Sequence, residues 1–113
     1  RKAIKEKEIE VWGDGNQIRD FINAKDVAKA MIKTMEIMPN DPINICSGQK
    51  HTITEIVNII STLSNKEIVY VESRYGNENR FMNNNLDLIE FSPEIDIVPG
   101  IKEAYEWAQK TLQ

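Results

Sequence analysis

Residues 8–12, Glu8-Ile9-Glu10-Val11-Trp12, alternate polar and apolar side chains, the period-two signature of a strand with one buried face. Ile18-Arg19-Asp20-Phe21-Ile22 repeats that alternation in part. Between them, Gly13-Asp14-Gly15-Asn16-Gln17 holds two glycines able to take positive φ, so the spacing predicts a β-hairpin over 8–23. The period then changes. Ala24, Val27, Ala28, Met31 and Met35 recur at offsets of three and four, predicting an amphipathic helix that ends at Pro39-Asn40-Asp41-Pro42. Residues 43–46 read as a short buried strand closed by Ser47-Gly48. Thr52 with Glu55 three residues later forms a capping box for a helix whose Ile53, Ile56, Val57, Ile60 and Leu63 share a face. A β-rich run follows at 67–71, a polar loop at 73–85, and a short helix at 86–91 ending before Ser92-Pro93. Pro99 and Gly100 introduce a last helix with Ile101, Ala104, Tyr105, Ala108 and Leu112 on one side, and residues 1–8 read as the end of a helix.

Four helical and about four strand segments, mixed in order, predict an α/β or α+β chain. At 113 residues it is one domain or a piece of one, with no internal repeat. Fourteen basic against eighteen acidic residues give a net charge of −4, which argues against a nucleic-acid partner. Hydrophobic residues at 41% suffice for a core, and no apolar run nears the ~20 residues of a membrane span. Cys46 is the only cysteine and His51 the only histidine, which excludes an internal disulfide and argues against a Cys/His zinc site. A small, soluble, cytoplasmic chain is expected. No group of residues suited to proton or nucleophile chemistry gathers in the sequence, and the helix-end character of residues 1–8 adds to the expectation that the chain belongs to something longer.

The run Val11-Trp12-Gly13-Asp14-Gly15-Asn16-Gln17-Ile18-Arg19-Asp20-Phe21-Ile22, followed by Asp26-Val27-Ala28, resembles a signature in the second half of nucleotide-sugar epimerases and dehydratases, the extended short-chain dehydrogenase/reductases. Ile43-Asn44-Ile45-Cys46-Ser47-Gly48 is similar to the strand and turn that come next in that family. Arg74-Tyr75-Gly76-Asn77 resembles its Arg-Pro-Gly-Asp loop, with Tyr and Asn in place of Pro and Asp, and the stretch from Phe91-Ser92-Pro93 to Trp107 resembles its last helix. The resemblance implies an α/β fold: the C-terminal part of an NAD(P)-binding Rossmann-like enzyme, with mixed short strands and about four helices. Residues 1–113 would be a single C-terminal substrate-binding region. The family's Gly-x-x-Gly-x-x-Gly loop and Tyr-x-x-x-Lys pair do not occur here. NAD or NADP is therefore expected in the full-length protein, bound through a preceding part, while this region alone binds no cofactor and is not active.

The implied partner is a nucleotide-diphosphate sugar. Arg19 and Arg74 correspond to the family's two phosphate-side arginines, and a guanidinium fork suits phosphate oxygens because it donates several N–H bonds and keeps its charge. Arg80 competes with Arg74 for that role. Each has a blander reading: an exposed pair of Arg19 with Asp20, or a solvated loop arginine. Trp12 reads first as a half-buried strand aromatic and second as a face for the base. Asp14 reads as a turn former, Asp20 as a backbone-fixing residue and Asp26 as a helix N-cap. Asn44 could tie two segments, Cys46 reads as a small core residue, His51 as an exposed one and Asn83-Asn84-Asn85 as a solvated turn. In that family the 43–46 strand joins the edge of the cofactor-binding sheet, so the region alone would carry an open strand edge that favours self-association or partial disorder. The alternative function is a stand-alone, non-enzymatic interaction or dimerisation module built on the apolar faces of the 53–63 and 101–112 helices.

Overall fold

The computed structural model describes residues 1–73, 75–76 and 78–112. In chain order the elements are α1 (Lys2–Lys5), β1 (Ile9–Trp12), β2 (Ile18–Arg19), α2 (Ala24–Ile37), β3 (His51–Thr52), α3 (Ile53–Ser64), β4 (Ile68–Val71), a 3-10 turn (Leu86–Ile89) and α4 (Ile97–Leu112). The mixed α/β class and the four helices agree with the sequence reading.

The hairpin does not form. β1 runs parallel to β4, with Ile9 opposite Ile68 and Trp12 opposite Val71, while β2 runs antiparallel to β3, with Ile18 opposite Thr52 and Arg19 opposite His51. The glycines do adopt positive φ, +82° at Gly13 and +74° at Gly15, but they lead the chain onward instead of back. Gly13 N–H donates to the Val71 carbonyl (2.8 Å) and prolongs the parallel ladder. The next carbonyls then go to the start of α3: Thr54 N–H donates to Gly15 O (2.9 Å) and Ile53 N–H to Gln17 O (3.2 Å). The first amides of a helix lack intrahelical partners, and here the loop's carbonyls supply them.

Residues 43–46 are also not a strand. Asparagine side chains replace the ladder: Asn44 N–H donates to Asn85 Oδ1 (2.7 Å), Asn85 Nδ2 to Pro42 O (2.9 Å) and Asn84 Nδ2 to Cys46 O (3.2 Å). Asn84 and Asn85 of the Asn83-Asn84-Asn85 run thus form a clamp rather than a solvated turn, and the open edge expected at 43–46 is absent. Helix caps divide similarly. The Thr52–Glu55 box is complete, whereas α2 is capped by Asn23, whose side chain accepts from Lys25 N–H, and not by Asp26. Asp26 is fully buried and receives the backbone N–H groups of Glu94 (3.1 Å) and Ile95 (3.0 Å), bracing the approach to α4. α4 starts at Ile97, two residues earlier than Pro99, because proline is tolerated in a first turn that needs no N–H donor there.

Two small cores result. Ala3, Ile9, Val11 and Val57 form one; Ala30, Leu86 and Ile89 form the other. The molecule is a slab of 48 × 34 × 18 Å with a radius of gyration of 16.3 Å, against ~13 Å for a compact domain of this length. No residue of α4 is buried, and Met31, Ile32, Met35 and Met38 of the α2 region lie exposed.

Candidate functional site

The loop from Gly13 to Gln17 separates Trp12 from Arg19 and is tied at three points to β4 and α3, so both side chains start from a fixed backbone. Within it, Asp14 Oδ1 accepts Asn16 N–H (2.9 Å), the turn-forming role expected of it. Arg19 is half-buried. Its Nη1 donates to its neighbour Ile18 O (2.8 Å) and to Glu78 O, which pins the segment starting at Glu78 against β2. That segment is held by the backbone as well: Arg80 N–H donates to Ile18 O (3.0 Å), and Asn79 Oδ1 accepts Ile18 N–H (2.9 Å). Among the described residues neither Arg19 nor Arg80 has a carboxylate partner. The Arg19–Asp20 surface pair is therefore not formed. Asp20 instead takes Ser47 N–H and Gly48 N–H, one on each oxygen at 2.8 Å, and fixes the turn beside β2 as expected.

The structure thus brings Arg19 and Arg80 to one crossing of β2 with the 78–80 segment. Arg74, the other expected phosphate arginine, lies outside the described residues. Trp12 is at the carboxyl end of the β1·β4 pair and is 46% exposed, so it is not a core aromatic. It stacks on Tyr75, ring centroids 6.2 Å apart and planes 12° from parallel, and donates its Nε1–H to Glu10. That bond, together with Lys2 Nζ at 3.0 Å, holds the Glu10 carboxyl below its ordinary range.

Sequence reasoning overlooked several neighbours. His51 is not an exposed residue: it stands opposite Arg19, its side chain is only 20% exposed, its Nδ1 lies 3.2 Å from Glu55 Oε2, and its buried Nε2 has no partner among the described residues. Thr54 and Tyr75 carry contacts that no local pattern signals; only the pairing of distant strands reveals them. Cys46 is partly buried, with Sγ donating to Met82 O (3.2 Å), and burial with the nearby Asp20 charge pushes its thiol up, away from nucleophilic chemistry.

Two hollows lie elsewhere. One of about 610 Å³ is flanked by Phe21, Asn84, Asp87 and Phe91, and one of about 460 Å³ by Phe21, Ile97, Ile101 and Trp107; neither is lined by Trp12, Arg19 or Arg80. Among the described residues no three metal-ligating side chains converge, and no helix is long and apolar enough to cross a membrane. A dinucleotide pyrophosphate is held by free amides at a helix N-terminus; at the start of α3 these are taken by Gly15 O, Gln17 O and the Thr52 hydroxyl, and Asn23 caps α2.

Residues 1–46 match the NAD dependent epimerase/dehydratase family. The GDP-L-colitose synthase of Yersinia pseudotuberculosis is 32% identical over 106 residues, 88% of this chain and 34% of that protein. Among solved structures, the UDP-glucose 4-epimerase of Thermotoga maritima, crystallised with UDP-glucose, superposes with a TM-score of 0.86 at 24% identity, covering 99% of this chain and 38% of that one. A GDP-6-OMe-4-keto-L-xylo-heptose reductase from C. jejuni gives a TM-score of 0.81 at 28% identity, covering 98% and 36%. The chain therefore spans about a third of the length of the relatives it matches. In sequence over residues 1–46, and in fold over nearly its whole length, the chain is thus similar to part of the NAD dependent epimerase/dehydratase family.

Proposed function

We propose that residues 1–113 are the C-terminal, substrate-binding region of an NAD- or NADP-dependent nucleotide-sugar epimerase or dehydratase, and that they hold the diphosphate of the substrate. The observation that carries this reading is Arg19: a half-buried guanidinium anchored by two backbone carbonyls, with no carboxylate partner among the described residues. Partly buried, pre-oriented guanidinium groups of this kind are strong partners for phosphate oxygens. Arg74, or Arg80 from the segment across β2, supplies the second positive charge, and the stacked Trp12 and Tyr75 offer an aromatic face to the base.

In this reading the rest of the protein binds the nicotinamide cofactor, which exchanges hydride with the sugar. This region contributes binding energy at the nucleotide end, remote from the reacting carbon, and so positions the sugar. UDP, GDP, dTDP and CDP sugars are the candidate substrates, and a cytoplasmic location belongs to the same reading. The test is Arg19→Ala in the full-length protein. Nucleotide-sugar binding should weaken about tenfold, as for a lost charge-assisted hydrogen bond, with cofactor affinity nearly unchanged. Loss of cofactor binding with the nucleotide sugar spared would overturn the assignment.

A further inference from the structure

The loop that joins Trp12 to Arg19 packs on one side chain of α3. Thr54, the second residue of that helix, sends its hydroxyl to Gly15 O (3.1 Å), lies 3.5 Å from Asp14 O, and stands 3.5 Å from the Tyr70 hydroxyl of β4. Its N–H donates to the same Gly15 carbonyl at 2.9 Å. The fit leaves no slack, since a Cβ on Gly15 would run into Thr54 Oγ1 and Gly15 already needs φ of +74°. Thr54 therefore touches the loop at its middle, and Tyr70, paired in register with Val11, ties the same hydroxyl to the sheet that carries Trp12.

We propose that Thr54 is a positioning residue for the diphosphate site: its hydroxyl sets the path of the loop and so the placement of Arg19. This rests on the reading of Arg19 given above. A hydroxyl is the group suited to the task, because one atom donates to the loop carbonyl and accepts from Tyr70. Valine keeps the shape of threonine and loses both bonds; serine keeps both.

The experiment is a calorimetric titration of the full-length protein with UDP, GDP and dTDP, using the tightest of the three for a double-mutant cycle. Thr54→Val is expected to weaken that nucleotide about fivefold, the effect of one net hydrogen bond, and Thr54→Ser to bind within twofold of the parent. In an Arg19→Ala background Thr54→Val should cause no further loss, because its effect passes through Arg19. Thr54→Ala is expected to behave as Thr54→Val and serves if the latter does not fold. A full fivefold loss persisting in the Arg19→Ala background would overturn the inference, as would unchanged binding by Thr54→Val where Arg19→Ala weakens it; in both cases the diphosphate reading stands. No effect of Arg19→Ala itself would overturn both.

Discussion

Asp26 shows how a single residue outside any binding role can decide local structure. Its carboxylate is fully buried and answers two backbone N–H groups, those of Glu94 and Ile95. Asp26→Ala takes a charged acceptor away from both donors and leaves a hole where the carboxylate was buried, and a loss of ~3 kcal/mol is expected in urea unfolding; less than ~1 kcal/mol would contradict the account. Cys46 makes a second residue-level prediction. Its raised pKa means that the folded state favours the neutral thiol. Its contribution to stability is therefore complete below the ordinary thiol range and declines as pH rises through that range towards the raised value. At pH 8 alkylation of Cys46 by iodoacetamide should be slower than that of free cysteine, and a faster reaction would refute the burial argument. At this scale the sequence was legible where a side chain acts on its near neighbours, as in the turn bond of Asp14; for Asp20 it gave the backbone-fixing role but not the partners, Ser47 and Gly48. It was not legible for Asp26, His51, Trp12 or Asn84 and Asn85, because their partners lie 38 or more positions away or depend on which strands pair.

Helices were read more faithfully than strands. A helix declares itself within one turn through its period and its cap, so α2, α3 and α4 appear close to where the apolar offsets place them. Strand pairing depends on distant sequence, and two glycines in a tight loop fit a reversal and a crossing equally well. What decided between them here was the start of α3, whose amides take the loop's carbonyls. The complete Thr52–Glu55 box gives this element its prediction: Thr52→Ala should lower stability by ~1 kcal/mol, visible as a lower urea midpoint, and no shift would mean that the box contributes nothing in this context. The same change should loosen β3, since Thr52 faces Ile18 in the short ladder beside Arg19.

As a whole, the molecule is a slab 18 Å thick with two separate small cores and a last helix that buries no residue. Met31, Met35 and Met38 of the α2 region and Trp107 of α4 are 57–77% exposed. Apolar surface of this extent on a thin body favours contact with other protein. Self-association is thus expected of the isolated 113-residue chain, on these helices and not on a strand edge at 43–46. Light scattering should show mass rising with concentration, and a clean monomer at high concentration would contradict it. The clustering of Arg19, Arg80 and the 13–17 loop away from both hollows also sets the scale of the functional question, because it places the proposed diphosphate grip on a surface bounded by short ladders instead of in a closed pocket.

The most direct measurement is a crystal structure of the full-length protein with whichever of UDP, GDP or dTDP binds it most tightly. The account predicts a phosphate oxygen at about 2.7–2.9 Å from a guanidinium nitrogen of Arg19. Phosphates seated instead in the hollow between Phe21 and Phe91, with Arg19 untouched, would contradict it.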